Sequence, residues 1–463
     1  MRRTIEADYL VVGAGAMGMA FTDTLVSETD ATVVVVDRNY QPGGHWTAAY
    51  PFVRLHQPSA YYGVNSRDLG SNTIDHSGLN AGYYELAGGA EVCAYFDAVM
   101  QQQLLPTGRV TYLPMSEYRG DGRVRTLGGD EIGVSARRVV TSHVEIVVPS
   151  MRAPSYDVAP GVDCVPPNDV PRIREARDRY VIIGAGKTAM DACLWLMRHG
   201  VAPGRLTWIK PRDSWLLDRA AIQPGRQFAK RTLADFSGQL AAVHEAVSFG
   251  DLFDRLEAKG CLLRIDTSVD PTMYRCAIVS QAELDALRGI DAVVRMGHVQ
   301  AIEPGRVTLD SGTLDVDGSA LYIDCTADGL GRREPTAVFR DDHISLQTVR
   351  TCQPAFSAAV IAHVEATYPD DDTKNAFCSP VPYPHQPTDW LRMMLTFNRN
   401  QLKWFSDPDM MAWVDAARLN VLHHVTAAVS ERAREKIISV LISQLPAIND
   451  KLETLLAQAE ATV

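Results

Sequence analysis

The stretch that decides the fold is residues 9–18, which read Tyr-Leu-Val-Val-Gly-Ala-Gly-Ala-Met-Gly. Its four leading apolar residues predict a short parallel strand buried on both faces. Gly13 permits a tight turn, Gly15 lets the backbone approach a pyrophosphate, and Gly18 lets the next helix pack closely on the strand. The pattern therefore predicts a dinucleotide-binding strand, loop and helix, with the helix N-terminus facing the phosphates.

The sequence that follows supports this interpretation. A second apolar strand ends in Asp37, where a carboxylate can accept hydrogen bonds from ribose hydroxyls. Gly43, Gly44 and Trp46 come next, and this pair of glycines resembles the second pyrophosphate contact of flavoproteins that bind two dinucleotides. We therefore predict an FAD site that also includes Arg38; an NAD site and a chance match in a glycine-rich turn are the alternatives.

The same pattern recurs at residues 180–197, which read YVIIGAGKTAMDACLWLM. An apolar strand again leads into a glycine loop, in which Ala189 replaces the third glycine. This repeat predicts a second dinucleotide site, and its candidate contacts are Gly184, Gly186, Lys187 and Thr188.

Two cations suggest which nucleotide the second site takes. The strand after the second loop ends in Lys210, and Arg212 follows, where the first site has the acidic Asp37. Lys and Arg can pair with a 2′-phosphate, whereas an acidic side chain would repel it. We therefore predict NADPH; a solvated basic turn on a domain that binds nothing is the alternative.

A third apolar segment, residues 320–331, resembles the strand by which such proteins return from the NADPH lobe to the flavin lobe. Thr326 and Ala327 would line that return, and Met115 is a further candidate cofactor contact. An ordinary core strand followed by a turn is the alternative.

These patterns predict an α/β protein with two Rossmann-like dinucleotide-binding domains and C-terminal helices. We expect a discontinuous FAD domain at residues 1–165 and 330–463, and an NADPH domain at 166–329 with a helical insertion near 226–290. Apolar residues recur at helical spacing from 410 to 459, interrupted by Pro446. They predict a helical pair that covers the flavin lobe, or, as an alternative, a homodimer contact.

Composition narrows the class of protein. The chain has 463 residues and a formal charge of −11, without a local basic run, so nucleic acid is not expected as a partner. No apolar run is long enough to span a membrane and no signal peptide is recognised, which predicts a cytoplasmic protein. The two histidines His423 and His424 lack partners at chelating spacing, so no metal site is expected.

The chain has eight cysteines without a CxxC pair: 93, 164, 193, 261, 276, 325, 352 and 378. This spacing predicts reduced, mostly buried thiols. Flavoproteins that reduce disulfides need two redox cysteines close together, so the sequence argues against that activity.

Together these motifs resemble the class B flavoprotein monooxygenases, which include flavin-containing, N-hydroxylating and Baeyer–Villiger enzymes. Residues 50–66, YPFVRLHQPSAYYGVNS, are similar to a YPxxRxDxxSxxY stretch of the Baeyer–Villiger enzymes, with His56 in place of their Asp. The segment before the second glycine loop lacks the FxGxxxHxxx(W/Y/F) fingerprint of the group.

The resemblance implies an activity. NADPH would reduce FAD, and O₂ would form a C4a-(hydro)peroxyflavin that oxygenates a small organic molecule by N-hydroxylation, S-oxidation or Baeyer–Villiger chemistry. Asn65 could donate a hydrogen bond to the flavin peroxide, Arg54 could stabilise negative charge, and His56 could act as an acid or base near neutral pH. Local capping, a structural salt bridge and packing are their respective structural alternatives.

A second functional hypothesis remains open from the sequence. The protein could be an FAD-dependent oxidase, dehydrogenase or isomerase with a degenerate NADPH lobe. A nucleotide-binding module without catalysis is a third possibility, which two full glycine loops argue against.

Overall fold

The computed structural model describes residues 3–327, 329–426 and 429–461. Its strands are β1 (Arg3–Val12), β2 (Val33–Val36), β3 (Val110–Leu113), β4 (Ser116–Tyr118), β5 (Arg123–Thr126), β6 (Glu131–Ser142), β7 (Ile146–Val147), β8 (Asp157–Val158), β9 (Cys164–Val165), β10 (Arg179–Ile183), β11 (Leu206–Ile209), β12 (Ser214–Asp218), β13 (Met273–Val279), β14 (Val293–Val294), β15 (Val299–Glu303), β16 (Arg306–Leu309), β17 (Gly312–Asp315), β18 (Ala320–Asp324), β19 (Gly329–Leu330), β20 (Phe339–Arg340) and β21 (His343–Leu346).

The α-helices follow in chain order. They are α1 (Ala16–Glu28), α2 (Gly89–Val99), α3 (Lys187–Arg198), α4 (Ala229–Glu245), α5 (Phe249–Ala258), α6 (Gln281–Arg288), α7 (Pro354–Thr367), α8 (Asp371–Phe377), α9 (Pro387–Phe405), α10 (Pro408–Ala416), α11 (Val421–Thr426) and α12 (Glu431–Ala461). None of the described helices is both long enough and apolar enough to cross a membrane.

The first sheet has the strand order β20-β21-β6-β1-β2-β3, with β4 and β5 attached as a hairpin beside β6. Strands β21, β6, β1, β2 and β3 run parallel. All four residues of β2 are buried, as a parallel strand covered on both faces requires. Helices α1 and α7 pack together on this sheet, so residues from both ends of the chain share one core.

The second sheet is parallel throughout, in the order β14-β11-β10-β18-β9. Helix α3 covers one face, and its core includes Trp208, whose indole N–H donates to the Gly184 carbonyl at 2.7 Å. The two parallel sheets confirm the predicted fold class. The first takes strands from residues 3–142 and 339–346, and the second from 164–324; the predicted domain limits themselves stay predictions.

The predicted insertion contains α4, α5 and α6, together with strand β13, which pairs in parallel with β12. The prediction for the C-terminal helices is wrong in two respects. Helix α12 runs through Pro446 without interruption, since a proline removes one hydrogen bond but has a φ compatible with a helix. It packs on α9, α4 and α5, so it covers the insertion, while α10 contributes to the core of the first lobe.

The first glycine loop yields a stability prediction. A Cβ on Gly18 would lie 2.0 Å from the Gly13 carbonyl oxygen, whereas a Cβ on Gly186 would meet nothing within 4 Å. We expect Gly18→Ala to lower the free energy of unfolding by about 2 kcal/mol, because backbone must move. Gly186→Ala, the matched control, should stay within about 0.5 kcal/mol in urea unfolding of the ligand-free protein. Equal losses would contradict this packing.

Candidate active site

Asp37 holds the first glycine loop in place. Its carboxylate accepts hydrogen bonds from the Ala14 N–H at 2.5 Å and the Asn39 N–H at 2.7 Å. Burial raises the pKa of Asp37 even though these bonds favour the charged form. Gly13 has a φ of +102°, and its N–H donates to the Val36 carbonyl at 2.7 Å. The loop is thus fixed to the end of β2.

A second glycine segment crosses the first. The Gly43 N–H donates to the Ala14 carbonyl at 2.9 Å, and a Cβ on Gly44 would lie 2.9 Å from the Cα of Gly15. A side chain on Gly44 would therefore displace the backbone at Gly15, so bare backbone of Gly44 faces the loop. Trp46 follows, with its indole N–H donating to the Tyr62 hydroxyl at 2.7 Å.

A single large cavity of about 820 Å³ opens in front of these two segments and extends to the second lobe. It is lined by nine of the residues that the sequence singled out: Gly13, Gly15, Asp37, Arg38, Gly44, Trp46, Arg54, His56 and Lys187. Residues from both glycine loops therefore border the same space. Arg38 also forms an exposed ion pair with Glu145.

The other predicted residues do not border this cavity. They are Gly18, Gly43, Asn65, Met115, Gly184, Gly186, Thr188, Lys210, Arg212, Thr326 and Ala327. Gly18 and Gly43 act through the packing described above. Thr326 is held by Arg152, which donates to its carbonyl at 2.6 Å and its hydroxyl at 2.9 Å.

Two of these residues, Asn65 and Met115, make other contacts, and their predicted roles stay predictions. The Asn65 amide oxygen accepts from the Leu419 N–H at 3.4 Å, while Arg418 binds the carbonyls of the preceding residues. Asn65 thus faces the C-terminal segment and not the cavity. Met115 is exposed in a turn, where its N–H donates to the Asn39 carbonyl at 3.1 Å.

His56 borders the cavity, but its surroundings argue against the predicted acid or base near neutral pH. Burial, together with the charges of Lys187 and Arg219, lowers the pKa of His56 to about 3. The Ile278 N–H donates to Nδ1 at 3.1 Å, so Nδ1 is the acceptor and the proton of the neutral ring lies on Nε2. His56 therefore offers a neutral N–H donor. Arg54, also at the cavity, is exposed and donates to the Leu86 carbonyl at 3.3 Å.

Contacts between the lobes converge on the second glycine loop. Gly184 has a φ of +133° and lies against Cys325, as the tight turn requires. Lys187 forms an ion pair with Asp191 one turn along α3. The other oxygen of Asp191 accepts a hydrogen bond from the Tyr50 hydroxyl, in the first lobe, at 2.7 Å.

The structure separates the two cations that the sequence grouped. Lys210 is 1% exposed, and its ammonium contacts the Asp213 carboxylate at 2.5 Å. Arg295 binds the same carboxylate at 2.7 Å. The prediction that Lys210 meets a 2′-phosphate is therefore wrong, because its charge is already used in the core. Arg212 is exposed and forms no ion pair with the described residues.

Sequence reasoning missed a pair of cysteines. Cys276 and Cys352, 76 residues apart, form a disulfide with Cα atoms 6.3 Å apart, and both border the cavity. The prediction of reduced thiols is wrong for this pair, and the argument against disulfide chemistry loses its basis. The remaining cysteines are free thiols: 93, 164, 193, 261, 325 and 378. Because folding brings Cys276 and Cys352 together from 76 residues apart, their spacing in the sequence does not indicate the pair.

Known proteins resemble this chain in sequence. A family model described as an NAD(P)-binding Rossmann-like domain matches residues 11–65, which contain the first glycine loop and Asp37. The uncharacterized protein Rv2000 of Mycobacterium tuberculosis H37Rv is 57% identical over 464 residues, covering 99% of this chain and 86% of its own length. The chain belongs to the family of Rv2000.

Two other similarities are more distant. A ferredoxin–NADP reductase of Salinispora tropica is 35% identical over 92 residues, which is 20% of this chain and 28% of that protein. The solved structure of an oxidized steroid monooxygenase bound to NADP covers 78% of this chain and 85% of its own, with a TM-score of 0.49 and 15% identity.

The lowered pKa of the half-buried His56 predicts a pH dependence of stability. In the unfolded chain its pKa is about 6.5, so between pH 3 and 6.5 the unfolded state binds more protons. Stability from neutral His56 is fully present above that range and is lost as the pH falls. We expect wild type to lose about 2 kcal/mol more unfolding free energy between pH 7 and 5 than His56→Asn, which keeps an acceptor for Ile278.

Urea unfolding at both pH values measures this difference. The exposed His76 provides the control, since His76→Asn should follow the wild-type pH dependence. Parallel pH profiles of wild type and His56→Asn would show that the ring titrates normally in the folded protein.

Proposed function

We propose that this protein is an FAD-dependent oxidoreductase that takes electrons from NADPH and oxygenates a small organic molecule with O₂. The observation that carries the proposal is one cavity, about 820 Å³ in volume, bordered by Gly13 and Gly15 of the first glycine loop and by Lys187 of the second. Two dinucleotides bound at these loops would direct their reactive rings into the same space. Direct hydride transfer requires such an approach.

The residues of the first site fit the adenosine and pyrophosphate of FAD. Gly15 and Gly44 present bare backbone at their point of contact, and the N-terminus of α1 lies directly behind. Backbone N–H groups and the helix dipole favour a pyrophosphate there. Asp37 borders the cavity where a ribose would meet a carboxylate. When bound, FAD would accept a hydride and pass electrons onward.

The residues of the second site support a nucleotide beside the FAD site. Lys187 begins α3 and borders the cavity, so its ammonium can approach a phosphate after partial release from Asp191. Arg212 is an exposed cation just after β11 and supports a 2′-phosphate contact. A ferredoxin–NADP reductase is similar to this chain over 92 residues, and its name includes NADP. This similarity is consistent with NADPH as the nucleotide.

The cavity wall supports chemistry protected from water. Trp390, Met393 and Phe397 contribute apolar surface to the cavity wall. A dry wall slows side reactions of a reduced flavin with water and protons. The neutral Nε2–H of His56 would donate a hydrogen bond to a carbonyl or an anion in that space, and its charge state would not change between pH 5 and 9.

One observation favours the second hypothesis, an FAD oxidase, dehydrogenase or isomerase with a degenerate NADPH lobe. Lys210 is enclosed with Asp213 in the core of the second lobe, so of the two cations predicted for the 2′-phosphate Arg212 alone is exposed. A weakened or lost nucleotide site would give this result.

The first test is reduction and reoxidation of the FAD-loaded protein. We expect anaerobic NADPH to bleach the flavin absorbance at least tenfold faster than equal NADH. On mixing with oxygen in the presence of a substrate, the protein should release less than one molecule of hydrogen peroxide for each NADPH consumed. Protein that takes up no FAD would refute the whole proposal. Bleaching by a substrate and not by NADPH would establish the second hypothesis.

The second test separates the two cations. Arg212→Ala should raise the KM for NADPH roughly tenfold and leave the KM for NADH within twofold, because it removes one charge-assisted contact. Lys210→Ala should instead lower the free energy of unfolding by about 2 kcal/mol, because Asp213 loses a buried partner. Steady-state kinetics and urea unfolding measure the two effects. An equal change in the KM for NADPH and the KM for NADH in Arg212→Ala would contradict the proposed contact between Arg212 and the 2′-phosphate.

A further inference from the structure

Arg350 is a buried cation without a carboxylate partner. It lies between β21 and α7, is 4% exposed, and borders the cavity. Its Nη1 donates to the Asn420 side-chain oxygen at 2.6 Å. Its Nε is buried without a hydrogen-bond partner, and among the described residues no Asp or Glu forms an ion pair with it.

This arrangement is costly in the ligand-free protein. A buried charge is normally compensated by an opposite charge, because burial removes its hydration. The rings of Phe356 and Phe397 lie 5.6 and 5.2 Å from the guanidinium carbon and offset part of that cost. Burial lowers the pKa of Arg350 to about 10, so the side chain stays charged at neutral pH.

A second polar side chain lies at the same end of the cavity. Gln353 precedes α7, borders the cavity and is 7% exposed, and both its amide oxygen and its amide nitrogen are buried without a partner. The nearby Tyr61, whose charge would interact with that of Arg350, also has a buried hydroxyl without a partner. Unpaired buried polar groups are rare and costly, and here one of them is Arg350 and another lies three residues along the same segment.

The neighbouring wall is apolar. Met393, Met394, Phe397 and Val421 border the cavity, and Phe397 also contacts Arg350. The cavity thus has a positive charge and further hydrogen-bonding groups at one end, and an apolar wall beside them. A molecule that fits it carries one negative charge on an apolar skeleton.

We propose that Arg350 and Gln353 form the binding site for the carboxylate of an organic substrate with an apolar body. A guanidinium binds a carboxylate through two parallel N–H groups; Nη1 of Arg350 is taken by Asn420, whereas Nε has no partner among the described residues. A phosphate dianion would bring a second charge that the described lining near Arg350 does not compensate. The assignment rests on the proposed function, since this acid would be the molecule oxidised.

The test uses benzoate and its neutral isostere benzamide as probes. Both are titrated calorimetrically into the FAD-loaded protein, so the readout needs no NADPH and no turnover. We expect wild type to bind benzoate at least tenfold more tightly than benzamide. Arg350→Met should weaken benzoate at least tenfold and change benzamide less than threefold, and Arg350→Lys should retain part of the preference. Arg333→Met, at another arginine of the cavity, is the matched control and should change neither.

Several outcomes would overturn the proposal. They are the absence of benzoate binding, equal affinities of wild type for the two probes, and an equal loss of benzoate binding in Arg333→Met. A change in the flavin reduction potential of ligand-free Arg350→Met, without loss of the benzoate preference, would assign Arg350 to the flavin. Should Arg350→Met fail to fold, Gln353→Leu replaces it, and we expect at least a threefold loss for benzoate alone. A benzoate preference in a protein that NADPH does not reduce would leave this site intact and refute the NADPH part of the proposed function.

Discussion

The hydrogen bond from the Ala14 N–H to the Asp37 carboxylate fixes the geometry on which the rest of the site depends. It joins the glycine loop to the end of β2, so the two strand ends and the N-terminus of α1 share one edge of the sheet. The Gly43–Gly44 segment can then cross the loop because Gly44 carries no side chain, whose Cβ would lie 2.9 Å from the Cα of Gly15. A ligand crevice at the carboxyl ends of parallel strands is the expected result.

The second constraint is the alignment of the two lobes, which depends on contacts far apart in sequence. Tyr50 reaches Asp191, and His56 accepts from the backbone of β13. The Cys276–Cys352 disulfide connects the same strand to the segment before α7. These three contacts surround the cavity, so the position of the insertion and the shape of the site are set together.

The local features of the fold could be predicted from the sequence, because a strand, a glycine loop and a helix are specified within about 20 residues. Both loops and the acid at Asp37 are of this kind. The contacts of Lys210 and Asn65 were not predictable, since each depends on a neighbour brought in by folding, Asp213 with Arg295 for one and Leu419 for the other. The pairing of Cys276 with Cys352 and the isolation of Arg350 have the same origin.

The buried cations Lys210, Arg219 and Arg350 fall into two groups, according to whether an opposite charge lies beside them to compensate for their lost hydration. Lys210 lies in the core with Asp213, and Arg219 lies there with Glu283 at 2.7 Å, so each buried charge has an opposite charge beside it. Such pairs position the backbone and are complete without a ligand. Arg350 is also buried, but its guanidinium meets an amide oxygen and two aromatic rings and, in the part of the chain that the structure describes, no carboxylate. Because the same fold neutralises its other buried cations internally, an uncompensated one at the cavity wall is more simply explained by an anion supplied from outside the chain than by a structural role.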